Sequence, residues 1–171
     1  RFHLPGEHDQ LDHGNWAHGE KSPISQLPEA QRKQFLALEN TFANRKANER
    51  GAIAWSDGSI TEHQGDSDSI EFSKSDQIKM IEDGNVVLTH NHPDFGKSQS
   101  VAGLSIPDIR FAIKVNAKEI RAVINHASGN YVFSMIRGSR GWPPSNAVED
   151  FTLNNKKYAQ LHEAFDRRIR V

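Results

Sequence analysis

Two histidines, His90 and His92, end an apolar run in the stretch VVLTHNHP (86–93). Side chains on a β-strand alternate between its two faces, so both imidazoles are predicted to point one way and Asn91 the other. Pro93 cannot donate to a strand ladder, which predicts that the strand ends there. Neutral imidazole is a common zinc ligand, and a catalytic zinc keeps three protein ligands and a water. The pair therefore supplies two ligands of such a site.

A third ligand is offered by Asp108, in the sequence SIPD (105–108) that follows a loop. Ser105 is suited to the N-cap of a helix, and Pro107 is tolerated in a first turn. Such a helix start would present Asp108 towards the histidines and hold Ser105 beside them. The same Ser-x-x-Asp spacing is close to a capping box, which satisfies helix-end amides without any catalysis. Both interpretations are open at this point.

Periodicity predicts the elements that must position these residues. They are a helix over 28–48 with an apolar stripe of Phe35, Leu38 and Phe42, a hairpin at Asp57-Gly58 within 51–65, a strand over 68–73, a helix over 74–84, a strand over 85–93, a helix over 105–117, two strands within 118–138, and a closing helix over 155–171 with Tyr158, Leu161, Phe165 and Ile169 on one face. This order predicts a mixed α/β domain, with a sheet covered by helices.

The 171 residues are expected to form one domain over 28–171, preceded by an extended or poorly ordered arm over 1–27. The arm carries His3, His8, His13 and His18 at a five-residue spacing that fits neither a helix face nor a strand face. We interpret it as a polar linker in preference to a weak metal-binding tract. Because the chain starts at Arg1 and not at Met, we expect it to begin inside a longer protein or after a processing point.

Composition excludes several classes of function. Lys and Arg number 21 against 22 Asp and Glu, so no global field would hold nucleic acid or an anionic membrane. The basic run RRIR (167–170) is interpreted as a solvated helix face. With no cysteine, disulfides, thiolate zinc sites and cysteine nucleophiles are excluded. No apolar run approaches the roughly 20 residues that span a bilayer, no signal peptide is visible, and the compartment is undecided.

Together, the strand ending in His-x-His-Pro and the helix start with Ser-x-x-Asp resemble the JAMM/JAB (MPN) metalloprotease signature. The resemblance covers roughly 48–142 and is nearest to the RadC-like and the phage- or toxin-associated branches. The string LPGEHDQLDHG (4–14) also resembles segments of phage head-morphogenesis proteins. The family implies a cytidine-deaminase-like α/β architecture and a zinc-dependent peptidase or isopeptidase, which acts on a protein or peptide amide.

Carried over to this chain, the resemblance implies zinc ligation by His90, His92 and Asp108. Ser105 would then steady the oxyanion of the tetrahedral intermediate. The remaining member of the signature is the general base, a glutamate between the first helix and the first strand, and Glu49 occupies that place.

Several alternatives stay open. Glu62 and Glu71 rival Glu49 as the base, and the loop over 94–104 is longer than the family's usual connection, although loops absorb insertions at about 0.6 kcal/mol per doubling of length. The chain could instead be an inert JAB-fold binding or structural module of a phage head protein. An HNH-type nuclease is a further alternative, suggested by HNHP, although a strand is predicted after Asn125-His126 where that fold needs a helix, and the net charge is not basic. The substrate and the oligomeric state are not determined by the sequence.

Overall fold

A computed structural model of the chain describes residues 22–43, 48–65, 70–91, 104–126, 129–142, 144–145 and 167–170. They form a six-stranded mixed sheet with the order β2-β1-β3-β4-β5-β6. The strands are β1 (Arg50–Ala54), β2 (Ile60–Gln64), β3 (Val87–Asn91), β4 (Glu119–His126), β5 (Gly129–Ile136) and β6 (Arg167–Arg170). The pairing of β3 with β4 is parallel, and the other neighbouring pairs are antiparallel.

Helices lie on both faces of this sheet. They are α1 (Glu29–Ala43), α2 (Lys74–Asp83) and α3 (Ile106–Val115), and a short 3-10 helix (Pro23–Gln26) precedes α1. One core cluster joins Met80 of α2 and Ile109 of α3 to Leu88 of β3. A second cluster joins Phe35 of α1 to Val87 of β3. The chain is therefore a mixed α/β fold with a sheet flanked by helices, as its sequence predicts.

Local signals explain where several elements begin and end. The β1–β2 hairpin turns at Asp57-Gly58, where the Asp57 carboxylate accepts from the Ser59 amide at 2.9 Å and Gly58 has a φ of 89°. Ser73 caps α2, and Gly84 ends it in the left-handed conformation that glycine adopts without a Cβ penalty. The turn at Asp57-Gly58 and the helix end at Gly84 therefore lie where the sequence predicts them.

The first helix differs from its predicted course. It ends at Ala43 instead of continuing to residue 48, and Asn48 is not helical. Its fully buried face runs through Phe35, Glu39 and Phe42, whereas Leu38 is only half-buried. Glu39 could take a core position because a buried cation pairs with it, as described below.

Two predicted elements are wrong in their described parts. Residues 70–73, within the strand expected over 68–73, are neither strand nor helix. Residues 167–170, expected in the closing helix, form β6 against β5. A sheet edge presents unpaired backbone groups, and this tertiary partner outweighs helix propensity at the end of the chain. Tyr158, Leu161 and Phe165 lie outside the described residues.

The arm expected over 1–27 ends earlier than predicted. Ser22 caps the 3-10 helix, and Ile24 is buried against the sheet. The rest of the arm, including its four histidines, lies outside the described residues. Within the described part of the chain, no helix has the length and apolar character needed to cross a membrane.

Candidate metal and catalytic site

His90 lies near the end of β3, on the sheet face that α2 and α3 cover. The register aligns four residues across neighbouring strands in the order His63, Gly51, His90 and Ala122. Paired residues share a face, so all four belong to the same side of the sheet. Gly51 is required there, since a Cβ atom would lie 2.8 Å from the carbonyl oxygen of Thr89. The absence of a side chain at Gly51 therefore lets β1 approach the backbone of β3 closely beside His90.

Asp108 reaches His90 from the first turn of α3. The Nε2 atom of His90 lies 3.0 Å from Oδ2 of Asp108. The same Oδ2 accepts a hydrogen bond from the Ser105 amide at 3.0 Å, and the Ser105 hydroxyl accepts from the Asp108 amide at 3.2 Å. The capping box, predicted above as the alternative without a catalytic role, is present. It orients the Asp108 carboxylate towards His90. The two interpretations of Ser-x-x-Asp are therefore compatible.

Two nearby carboxylates, Asp108 and Glu49, act to raise the pKa of His90. Burial, the largest influence, lowers the pKa of the imidazole. The charge and hydrogen bond of Asp108, the charge of Glu49 and a hydrogen bond to the Arg121 backbone outweigh burial and raise this pKa above its ordinary value of 6.5. In the metal-free protein, His90 thus holds a proton more readily than an isolated histidine does.

Glu49 lies in the half-buried position just before β1. Its charge acts on His90, so the two side chains are within electrostatic reach of one another. Glu62 is exposed and pairs with Ala52, which puts it on the opposite sheet face from His90. Glu71 is exposed and belongs to no strand. Of the three carboxylates considered as a base, Glu49 is the one that contributes to the electrostatics of His90.

The structure thus brings His90, Asp108, Ser105 and Glu49 to one end of β3. His92 and residues 94–103 of the long loop lie outside the described residues. Among the residues that are described, no group of three His, Asp or Glu side chains forms a ready cation site. The third ligand that the family resemblance implies, His92, is not among these described residues.

The distance between His90 and Asp108 suits a shared zinc ion. Two ligand atoms, each about 2.0–2.1 Å from a tetrahedral zinc, lie roughly 3.3–3.4 Å apart. The observed separation of 3.0 Å between Nε2 and Oδ2 is shorter by only a few tenths of an ångström. One imidazole and one carboxylate are also a donor set that zinc accepts.

Sequence reasoning missed a buried charge network on the opposite sheet face. Arg121 of β4 donates to both carboxylate oxygens of Glu39 at 2.8 Å, and to Glu119 at 2.9 Å. Thr89 of β3 donates to Glu39, and Ser134 of β5 donates to Glu119. The local signals were Glu39 within an apolar helical stripe, and charged residues in a strand of otherwise buried side chains.

The network also fixes the segment before α1. Ser22 donates a hydrogen bond to Glu119, and Ile24 belongs to the buried cluster with Phe35 and Val87. The network therefore joins this segment, α1 and three strands, but it lies on the face away from His90.

Comparison with protein-family models, with curated proteins and with solved structures finds no match to this chain.

Proposed function

We propose that the chain is a zinc-dependent peptidase or isopeptidase of the JAMM/JAB type, acting on a protein or peptide amide. The observation that carries the proposal is the 3.0 Å approach of His90 Nε2 to Asp108 Oδ2, with the charge of Glu49 acting on the same imidazole. An imidazole, a capped carboxylate and a second carboxylate are the donor set and the base that metal-assisted hydrolysis needs.

Each residue has a distinct role in this proposal. His90, His92 and Asp108 would hold zinc, with the part of His92 resting on the sequence pattern alone. Zinc held there would supply a coordinated water with its pKa lowered from about 15.7 towards about 7, and a Lewis acid for the amide carbonyl. Glu49 would take the proton from that water and pass it to the leaving amine.

Ser105 is proposed to stabilise the oxyanion. Its hydroxyl oxygen accepts from the Asp108 amide, and a serine hydroxyl that accepts one bond can still donate its own proton. A donor aimed at the developing oxyanion contributes about 2.7–4 kcal/mol to lowering the barrier. The capping box holds Ser105 and Asp108 in a fixed relation, which is the preorganisation this role requires.

Zinc binding is the first test. The purified chain is expected to bind one zinc ion, and His90→Ala and Asp108→Ala are expected to lose it. His63→Ala is a matched control, because His63 lies in the same cross-strand row but its ring packs against Phe72. If His90→Ala and Asp108→Ala bind zinc as the parent and His63→Ala do, the metal site is not where we propose.

Proteolysis is tested without knowing the natural substrate. The zinc-loaded protein is incubated with peptides from a digested proteome, and new N-termini are identified by mass spectrometry. Wild type should create termini that neither His90→Ala nor a chelated sample creates. If the three samples give the same termini, the hydrolase proposal fails.

One observation favours an inert module of the same fold. The capping box accounts for Ser105 and Asp108 as a helix start, whether or not a metal is bound. In that case, the His90–Asp108 pair would be a structural ion pair, and neither zinc binding nor new termini would be found.

On the resemblance of residues 4–14 and 48–142, we further propose that either form is part of a phage or toxin polypeptide.

A further inference from the structure

Asn91, between the two histidines of the pattern, makes its contacts on the other face of β3. It is 1% exposed, as strand alternation predicts for a side chain turned towards α1. Its Oδ1 accepts a hydrogen bond from the amide of Arg50 at 2.7 Å. Its Nδ2 donates to the carbonyl of Phe42 at 3.1 Å and lies 3.5 Å from the carbonyl of Asn48. One amide side chain thus contacts three backbone groups.

Two of these backbone groups flank Glu49. Asn48 precedes this residue and Arg50 follows it, while Phe42 is on the last turn of α1. The described register of β1 with β3 runs from the Gly51–His90 pair to the Ala54–Val87 pair. Asn91 therefore adds a contact from its side chain next to that ladder, at the residues around Glu49.

We propose that Asn91 is a positioning residue, which holds the main chain on both sides of Glu49 so that the carboxylate stays beside His90. This inference rests on the proposed function, because it assigns Asn91 to the placement of the proposed base. A base displaced by about 1 Å can lose about 100-fold in rate, so a fixed backbone at this point has a direct chemical consequence.

Thr89 provides a matched control for a purely structural role. It lies two residues earlier on the same strand and face, and it is buried to a similar degree. Its hydroxyl donates to Glu39 of α1 at 2.5 Å, and not to the backbone at residues 48–50. Thr89→Val should weaken the fold without moving Glu49, whereas Asn91→Leu should move Glu49.

The kinetic test uses a peptide that the zinc-loaded wild type cleaves in the screen above. Asn91→Leu is expected to keep one zinc per chain and its KM, and to lose about 100-fold in kcat. Adding Glu49→Gln to that variant should cause little further loss, because the base is already misplaced. Thr89→Val should keep kcat within a few-fold of wild type. Parental kcat in Asn91→Leu, or an equal loss in Thr89→Val, would overturn the assignment.

A second variant keeps the test decisive if Asn91→Leu does not fold. Asn91→Ala introduces neither a bulky apolar group nor a charge, and it removes the bonds to the Arg50 amide and to the two carbonyls. We expect it to fold, to keep zinc and to lose kcat by an amount similar to that expected for Asn91→Leu. Parental kcat in this variant would contradict the proposal.

A measurement independent of activity separates this inference from the proposed function. Hydrogen exchange of the Arg50 amide, followed by NMR, reports its bond to Asn91 even if no peptide is cleaved. Exchange should be at least about 10-fold faster in Asn91→Ala, which removes this bond, than in Thr89→Val if the contact holds this segment. Equal exchange rates in the two variants would overturn the positioning role. If wild type cleaves no peptide but exchange is faster in the Asn91 variant, the contact is supported and the hydrolase proposal is rejected.

Discussion

At the scale of single residues, Asp108 shows how a helix cap can become part of a chemical site. Its Oδ2 accepts from the Ser105 amide and faces His90 Nε2, both at 3.0 Å. The cap restrains the carboxylate at no cost to the contact with the imidazole. The positive end of the α3 dipole also favours a carboxylate at this position. Local helix physics and the proposed zinc ligation therefore require the same side chain in the same orientation.

Glu49→Gln tests the base at this scale. The amide is isosteric and does not take a proton from water, so we expect zinc to remain and hydrolysis to fall by about 100-fold or more. Zinc content and the rate of cleavage of a peptide from the screen are measured together. Glu62→Gln is the matched control, because Glu62 is exposed on the opposite face and should be silent. Hydrolysis at the parental rate in Glu49→Gln would show that another group is the base.

At the scale of elements, a buried charge network sets how α1 packs on the sheet. Arg121 is almost fully buried, and it lies between Glu39 and Glu119 with its guanidinium 5.6 Å from the centre of the Phe35 ring. Burial disfavours its charge, but the two carboxylates more than compensate and raise its pKa. Since each charge is desolvated, the network depends on all of its members being present.

Arg121→Met tests this dependence. The substitution leaves two buried carboxylates without their cation, and we expect a loss of about 3–5 kcal/mol in the free energy of unfolding, measured by denaturant titration. Replacing Glu39 and Glu119 by leucine in the same chain removes all three charges, and it should recover much of the loss. If Arg121→Met alone unfolds at the parental denaturant concentration, the network contributes little to stability.

Two helix ends meet at a second arginine. Arg137 donates to the carbonyls of Gly84 and Asn116, which follow α2 and α3, at 2.8 and 2.6 Å. A cation near helix C-termini satisfies carbonyls that have no partner within the helix and complements both dipoles. Arg137 thereby connects the two helices on the site's face of the sheet.

Arg137→Met should reduce the free energy of unfolding by about 1.5–3 kcal/mol, because hydrogen bonds from a charged donor are lost. Thermal unfolding of the variant measures the effect. Arg140→Met, three residues later and exposed, is the control and should change little. Equal effects of the two substitutions would contradict the helix-connecting role.

Local patterns predicted the site better than they predicted the packing around it. Strand alternation separated His90 from Asn91, and N-cap chemistry located Ser105, because both depend on neighbours along the chain. The pairing of Glu39 with Arg121 spans 82 residues and has no local signature. The pairing of β6 with β5 likewise depends on an edge that exists only once the sheet has formed. Such contacts follow from the tertiary fold, which periodicity alone does not determine.

At the scale of the whole molecule, the proposed zinc site would make protons and zinc compete for His90, and this competition would link stability to pH. The folded pKa of His90 is raised above its ordinary 6.5. In the metal-free protein, His90 therefore contributes stability that is fully present below pH 6.5 and is lost as the pH rises through the raised folded pKa. Zinc requires the neutral imidazole, so the stability gained from bound zinc has the opposite dependence on pH.

We therefore expect stability to show two opposite trends over roughly pH 5.5 to 8.5. The free energy of unfolding is measured by denaturant titration at each pH. In the presence of chelator, the stability difference between wild type and Asp108→Asn should shrink as the pH rises, since asparagine can still accept from Ser105 but carries no charge to hold the proton. With zinc in excess, the stabilisation over the chelated sample should grow with pH, reaching about 2.7 kcal/mol at a zinc concentration 100 times its Kd. His90→Ala should remove both trends. If a zinc-dependent gain persisted unchanged in His90→Ala, the ion would be bound elsewhere on the chain, and the link between proton and metal at His90 would be refuted.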